Sequence, residues 1–577
     1  MLFMRRCAPL LVLTLQSTDA FQPSLLSGER IGGAAGRTSP PANRAALFGQ
    51  EVSVAGVSAL FGRRRAISRP LKATVEGATT ANFVGEDPLL ASDTKGDDGA
   101  EWAYDWRKQW YAVGYDSDIE EGPKPFGVSI FDEPLVLYRD KSGALQCVSD
   151  LCPHRASKLS EGQVTDQGNI ECLYHGWQFE GAGGACVHIP QLPKDASPPR
   201  AASLRVYPLA VSEGVVFVWM GDDPWGEGAK DILPVPSTPD KLDETKPGFQ
   251  YEFVYDLPYD WSYLAENLLD PAHIPISHHA TDGGGDKKNA GPISFEVIKE
   301  GPDAPSPKGF SALVESRGFG KIAVLRKSQY WFEAPGIVRL RTVPAKEGGA
   351  VFGAALHCIP LGKGRSRLLF KTYGMGLPWA LTIVAGLKPS ALRHLNSCKI
   401  LEQDMQLICA QEDHVARTGQ SLSKSFLPVK SSDGLVVELR QWLDHVGHGM
   451  PHFVGWNKSK ASEYLSDHEN TQRYTHRANE SRFHRHVVLS AATRKALRTV
   501  KRVRNGGLAT AGALAAGAVL LSGAGGPPLG ASVSAAVLAR LRIAGVCGAV
   551  CSLVLGVAAG VFEGHFYTNF ERHPVLG

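Results

Sequence analysis

Cysteine is scarce and scattered. The chain of 577 residues has ten, at Cys7, Cys147, Cys152, Cys172, Cys186, Cys358, Cys398, Cys409, Cys547 and Cys551. That spacing excludes a disulfide-stapled secreted scaffold, which needs dense cysteine. Acidic residues are nearly missing from the first 72 positions, where ten Lys/Arg face three Asp/Glu. The remainder holds 51 basic and 55 acidic residues, so a charge of −4 lies behind the overall +3. The body lacks the basic excess that nucleic-acid binding requires, and no nucleic-acid partner is expected. Charge of either sign is absent from Asn505 to Ala539 and again from Ile543 to Phe562. The body also has no internal repeats or low-complexity tracts. With 43% hydrophobic and 21% charged residues, the composition is that of a folded protein. Its length calls for two or more domains.

Both ends read as addresses. Arg5 and Arg6 precede the short apolar stretch Cys7–Leu15, too short to span a bilayer. Small residues follow, with a cut expected near Ala20/Phe21. The next stretch is rich in Ala, Gly, Ser and Arg, the composition of a transit peptide. Signal peptide (1–20), then Phe21 and a transit peptide (21–75), then a polar linker (76–100), resembles the bipartite presequence of algae with complex plastids, which implies that the transit peptide is a plastid one. A secretory signal followed by a plain linker is the alternative. At the other end, each uncharged run offers about 20 residues, the length of a membrane-crossing helix. Pro527–Pro528 suits the turn between them. The expectation is two transmembrane helices within 505–562. Upstream, Arg482–Arg504 carries eight Lys/Arg and no acid, which suits a surface near anionic lipid.

Residues 101–235 run in short strand-like segments such as "EPLVLYRD" and "GVVFVWMG" with Gly and Pro turns. They contain "CPHRASKLSEGQVTDQGNIECLYHGW", a C-x-H pair (Cys152, His154) and a C-x2-H pair (Cys172, His175). Two cysteines and two histidines could hold zinc. A C-x-H pair is cramped for a zinc knuckle, however, and the surroundings lack the helix of a zinc finger. The other reading is a Rieske 2Fe-2S centre, in which two thiolates hold one iron and two imidazoles the other. Cys147 and Cys186 match no ligand position and read as small buried hydrophobes.

A centre that moves single electrons needs a reaction site. "ENLLDPAHIPISHH" (Glu266–His279) offers one. Non-haem iron that activates dioxygen takes two imidazoles and a carboxylate on one face. Asp270 and His273 stand three apart, on one face if the segment is helical. His273 and His278 stand five apart and converge only if the backbone bends near Pro275. Asp270 could instead be a helix N-cap before Pro271. His279 competes with His278.

From about Trp102 to Gln411 the chain resembles Rieske non-haem iron oxygenases of the pheophorbide a oxygenase group. That group also contains chlorophyllide a oxygenase and the Rieske protein of the chloroplast inner-envelope translocon. "VYDLPYDWSYLAENLLDPAHIPISHH" and "CVHIPQLP" carry the resemblance most specifically. It implies an α+β fold: a β-rich Rieske domain (101–235), then an antiparallel-sheet, helix-grip-like catalytic domain (236–480), then the membrane hairpin. It implies the cluster ligands Cys152, His154, Cys172 and His175, and the iron ligands His273 and His278. The carboxylate ligand falls on a late helix in "KILEQDMQLICAQE", at Asp404, with Glu402 second and Glu412 and Asp413 behind. Asp270 becomes an electron bridge between His273 and the neighbouring subunit's His175, with a homotrimer implied. Asn267 matches an asparagine near the iron. Pocket walls are expected from 280–380. Plant members carry a C-x2-C pair before the hairpin; Ser490 and Thr493 stand there, so redox control through that pair is not expected.

The function implied is that of a plastid membrane oxygenase, in the inner envelope or thylakoid. It would use O2 and reduced ferredoxin to oxygenate a chlorophyll-derived tetrapyrrole. The alternatives are a Rieske electron carrier or redox sensor of plastid protein import, and a hydroxylase of another lipid-soluble substrate such as a sterol or carotenoid.

Overall fold

The computed structural model describes residues 102–222, 248–281, 285–298, 305–317, 325–344, 349–377, 389–459, 481–523 and 535–569. The expected leader and linker, 1–100, lie outside the described residues.

The first part is built from short antiparallel strands. β1 (Trp110–Tyr115) is buried along its whole length and pairs with β10 (Val215–Trp219), which pairs with β9 (Leu209–Ser212). β2 (Phe126–Ile130), β3 (Glu133–Arg139) and β4 (Leu145–Ser149) form a second sheet. The apolar runs in "EPLVLYRD" and "GVVFVWMG" are β3 and β10, and burial on both faces explains why they are continuous rather than alternating. Four very short strands, β5 (Gln163–Val164), β6 (Ile170–Glu171), β7 (Gln178–Phe179) and β8 (Cys186–His188), make a third sheet. A small separate core that includes Val136, Leu159, Ile170 and Phe179 surrounds Cys152 and Cys172.

The second part is a seven-stranded antiparallel sheet. Its strands are β11 (Gly248–Leu257), β12 (Ser294–Ile298), β13 (Gly309–Arg317), β14 (Leu325–Glu333), β15 (Ile337–Thr342), β16 (Val351–Gly362) and β17 (Arg365–Met375). The order is β11-β17-β16-β15-β14-β13-β12, a meander with the first strand added beside the last. Helices α1 (Trp261–Leu269) and α2 (Ile274–Ser277) lie between β11 and β12 in the chain. The long helix α3 (Ser390–Thr418) follows Pro389 and ends at Gly419, whose φ of 60° lets its N–H close on Val415 O. Helix α4 (Gly434–Val446) comes after it.

One continuous core runs from Trp110 and Phe217 to Leu356, Met405 and Trp442, so the two parts share an apolar interior. The join is also polar. Phe131 and Asp132 donate their backbone N–H groups to Pro360 O and Leu361 O at 2.7 and 3.2 Å. Arg367 holds Asp256 through Nε (2.6 Å) and Nη2 (3.0 Å) and reaches the Val113 carbonyl at 3.1 Å.

Helices α5 (Ala491–Gly523) and α6 (Ala535–Gly564) close the described chain. Both are long and apolar enough to cross a membrane. Many of their apolar side chains are exposed, as at Val519, Leu520, Ile543 and Val561. A Cβ on Gly507 would come within 2.9 Å of the Gly556 backbone, so the two helices touch main chain to main chain there. Two of the eight cations in Arg482–Arg504 do not face outward. Arg482 and Arg485 are buried against the second part, where Glu402 and the Asp256 carbonyl accept from them.

His357 on β16 is buried at the join, and among the described residues neither ring nitrogen has a hydrogen-bond partner. Burial, with Arg339 and Lys371 nearby, pushes it down to about 3. The unfolded chain therefore binds a proton that the folded chain refuses once the pH drops below about 6.5. Stability from this group is complete above that value and is lost as pH falls towards the folded value. His357→Phe should shrink the fall in melting temperature between about pH 7.5 and about pH 5. An unchanged pH dependence would count against this account.

Candidate functional site

The two cysteine loops have the same backbone design. Ala156 N–H donates to Cys152 O and Gly176 N–H to Cys172 O, each at 2.8 Å. The N–H groups of Cys152 and Cys172 donate in turn to Ser157 O and Trp177 O, each at 2.9 Å. Each loop reverses through a residue with positive φ, Ala156 (53°) and Gly176 (75°). Gly176 is required twice over, since a Cβ there would meet Pro190 Cγ at 2.9 Å. The thiols lie inside and the imidazoles nearer the surface. Cys152 and Cys172 are 2% and 1% exposed. The rings of His154 and His175 meet edge-on at 4.4 Å, and Trp177 stacks flat on His154 at 4.7 Å.

This donor set fits a Rieske cluster. Burial and the neighbouring Cys172 push the Cys152 thiol up to about 11, so two adjacent thiolates need a strong positive charge beside them. Iron supplies that charge. Cys147 is buried in the main core, and Cys186 sits partly buried on β8 with its Sγ 3.6 Å from His188 O.

The second cluster is assembled by three segments. α1 starts at Asp260, whose carboxylate accepts from Ser262 N–H (2.9 Å) and Oγ–H (2.6 Å). It ends at Asp270, because the residue before a proline leaves the helical region. Asp270 is thus a C-cap, not an N-cap, and its Oδ1 accepts from Ala272 N–H at 2.7 Å. Nor do Asp270 and His273 share a helix. α2 is a single turn with Pro275 in its first positions, and His273 and His278 flank it. Pro275 starts this turn rather than breaking a longer helix. The turn brings the two rings to 5.3 Å.

Asp404 comes from α3. Its Oδ2 lies 3.1 Å from His278 Nε2 and 3.4 Å from His273 Nε2. Ligand atoms of His273, His278 and Asp404 all fall within 4.8 Å of one another. Asn267 Nδ2 sits 3.3 Å from Asp404 Oδ2 and 3.4 Å from His273 Nε2. Asp270 Oδ2 is 3.3 Å from His273 Nδ1. Within the single chain, among the described residues, Asp270 makes no hydrogen bond to His175. His279 turns outward, where its Nδ1 accepts from Lys287 N–H at 3.2 Å.

Glu402 is occupied elsewhere. Arg482 grips it with Nε (2.8 Å) and Nη2 (2.5 Å), and Tyr255 donates its hydroxyl at 2.8 Å. Glu412 accepts from Asp260 N–H at 3.2 Å, and Asp413 pairs with Arg417 at 3.0 Å. Two further residues touch the cluster without any signature in the sequence. Gln403 Oε1 lies 2.9 Å from His278 Nδ1, and Ser277 Oγ donates to Asp404 Oδ1. Gln403 stands 125 positions from His278, so no local pattern signals the pair.

The electrostatics favour a cation. Burial opposes charge on Asp404, but hydrogen bonds from both histidines outweigh it and hold the carboxyl well below the usual range. Burial likewise opposes charge on His273, yet Asp270 and Asp404 push it up to about 10. Acceptors at both Nδ1 atoms leave both Nε2 atoms turned toward Asp404, where a metal cation can take the place of a proton. Two imidazoles and a carboxylate suit non-haem iron(II).

A cavity of about 430 Å³ opens beside the cluster. Its walls include Tyr263, Leu407, Ile408, Phe426, Val437 and Trp456. Among the described residues, none that lines it falls within 280–380, contrary to expectation. The reason is placement: the cluster sits where α1 and α3 meet, so helices and the stretch before α4 enclose the space.

A β domain with paired Cys/His loops, joined to an antiparallel sheet with a two-histidine, one-carboxylate cluster, is the architecture of Rieske non-haem iron oxygenases. Comparison with known proteins agrees. Residues 109–208 match the Rieske [2Fe-2S] domain family, and 332–421 match the pheophorbide a oxygenase family. The chain is therefore similar to the pheophorbide a oxygenase group of that class. It is 39% identical over 361 residues to protein TIC 55 of Arabidopsis thaliana, covering 61% of this chain and 62% of that protein. It is 34% identical over 256 residues to pheophorbide a oxygenase of the same plant, covering 43% and 46%. The matches thus span less than two thirds of these relatives. The crystal structure of dicamba monooxygenase bound to dicamba aligns at 22% identity and a TM-score of 0.45, over 58% of this chain and 95% of that one. A Rieske domain binds a 2Fe-2S cluster, and catalytic domains of this class bind mononuclear iron.

Two outcomes are expected. Asp404→Ala should lose the mononuclear iron and keep the cluster, whereas Glu402→Gln should keep both, read by metal analysis. Arg482→Ala leaves Glu402 buried without its cation, and should cost about 3–5 kcal/mol in denaturant unfolding.

Proposed function

We propose that the chain is a plastid-membrane oxygenase that uses O2 and reduced ferredoxin to oxygenate a chlorophyll-derived tetrapyrrole of the pheophorbide a or chlorophyllide type. The observation that carries this reading is the convergence of His273, His278 and Asp404 beside a cavity of about 430 Å³. A protein that only relays electrons has no use for such a cluster next to a ligand-sized space.

In this reading the domains are 101–235 for the cluster and 236–480 for the iron, with the leader at 1–100 and the anchor at 505–562. Cys152, His154, Cys172 and His175 hold the cluster, and His273, His278 and Asp404 hold the iron. The cluster supplies single electrons, and the iron supplies dioxygen activation. The protein's share is positional. Gln403 fixes the ring of His278, and Asp270 fixes that of His273. Asn267 sets the near oxygen of Asp404. Asp270 also faces the cavity and, in a homotrimer, meets the neighbouring subunit's His175 as the electron bridge. The apolar walls bind the macrocycle and exclude water. The exposed apolar faces of α5 and α6 suit an inner-envelope or thylakoid membrane, from which an apolar substrate can reach the pocket.

A second reading is a redox component of plastid protein import. It is favoured by one observation, the higher identity to protein TIC 55 than to pheophorbide a oxygenase. A hydroxylase of a sterol or carotenoid would use the same residues.

Metal analysis separates the first two: three irons per chain for the oxygenase, two for the redox component. Incubation with reduced ferredoxin, O2 and a panel of chlorophyll derivatives should add oxygen to one pigment, read by mass spectrometry. His278→Ala should abolish that product while the paramagnetic resonance signal of the Rieske cluster survives. Turnover retained in His278→Ala would overturn the assignment.

A further inference from the structure

We infer that Ser277 is a positioning residue that holds Asp404 to a single metal-ligating oxygen. The inference rests on reading His273, His278 and Asp404 as a metal site. The two carboxylate oxygens of Asp404 have different surroundings. Oδ2 faces His278 Nε2 at 3.1 Å, His273 Nε2 at 3.4 Å and Asn267 Nδ2 at 3.3 Å. Oδ1 accepts the hydroxyl proton of Ser277.

Ser277 is built into the same element as the histidines. It is the last residue of the one-turn helix α2, and its N–H donates to His273 O at 2.7 Å. The hydroxyl that occupies Oδ1 is therefore fixed by the same turn that fixes both imidazoles. A carboxylate oxygen that accepts a hydroxyl hydrogen bond has one lone pair committed, and its charge is partly satisfied. Oδ2 accepts only the longer bond from the Asn267 amide, at 3.3 Å, and it faces both imidazole Nε2 atoms, so it is the better ligand. The chain then offers a metal two nitrogens and one oxygen, not two. Removing the hydroxyl frees Oδ1 to swing in as a fourth ligand atom and fill a position that a substrate or O2 would otherwise use.

The test uses the full chain in detergent, with the mononuclear site stripped and reloaded with cobalt(II). Cobalt K-edge absorption sees that metal alone, whatever the Rieske cluster contributes. Its pre-edge intensity falls as ligands are added. Ser277→Ala should bind cobalt with a clearly weaker pre-edge and one more oxygen scatterer than the natural chain. Ser277→Thr, which keeps the hydroxyl, should restore the natural spectrum. Should the alanine variant fail to fold, Ser277→Cys replaces it, because a thiol is a weak donor of similar size. Identical spectra for the natural chain and the hydroxyl-less variant, at equal cobalt content, would overturn the inference. A natural chain that takes up no more cobalt than His278→Ala would instead overturn the metal site itself.

Discussion

The structure turns on one arrangement: a buried carboxylate facing two imidazoles from a segment far away in the chain. Asp404 lies on a 29-residue helix, and the histidines flank a single turn far earlier in the sequence. Burying that carboxylate is unfavourable unless positive charge or hydrogen-bond donors meet it. The geometry supplies both nitrogens, an amide and a hydroxyl within reach. The packing of α1 and α2 against α3 has to be held closely, because a small slip would leave an unpaired charge in the core.

The supports around the cluster are themselves buried charge pairs. Arg440 on α4 donates through Nε to Glu266 at 2.6 Å, through Nη1 to Ser262 Oγ at 2.9 Å, and to Val454 O at 2.7 Å. That ties down the helix that carries Asn267. Arg482 does the same for α3, gripping Glu402 two positions before Asp404. Arg482 also donates to His565 O at 2.6 Å, just beyond α6. The segment leading into the C-terminal hairpin and the residue just after it therefore meet at one arginine, and that arginine grips the helix that carries the carboxylate. Pairs of this kind add little net stability but strongly penalise misplacement, since either partner left alone is a buried charge.

Legibility differs between the two clusters for a physical reason. The cysteine loops are local: each pairs a thiol and an imidazole within four residues, and each closes on its own backbone. Spacing alone therefore displays them. The histidine segment is half local. His273 and His278 are near neighbours, but the helical reading of Asp270 and His273 fails, because Pro271 ends α1 before the first histidine. The choice between Asp404 and Glu402 depends on which way each side chain points from one helix. Arg482, eighty residues on, pairs with Glu402 and leaves Asp404 facing the histidines. Gln403 and Ser277 have no distinguishing residue type at all; only their neighbours give them a role.

By itself the sequence determined the class of fold, the cysteine and histidine loops, and two helices long and apolar enough to cross a membrane. Those features depend on residue type, spacing and local hydrogen bonding, which the chain order carries directly. Tertiary structure decided that Asp404, named first from the resemblance, faces the histidines, and which of the other acids are tied up in ion pairs. It also decided that the described walls of the cavity come from helices and the stretch before α4 rather than from residues 280–380. Each of these depends on contacts between segments remote in sequence, and their outcome rests on the shared packing of α1, α2 and α3 rather than on any one stretch.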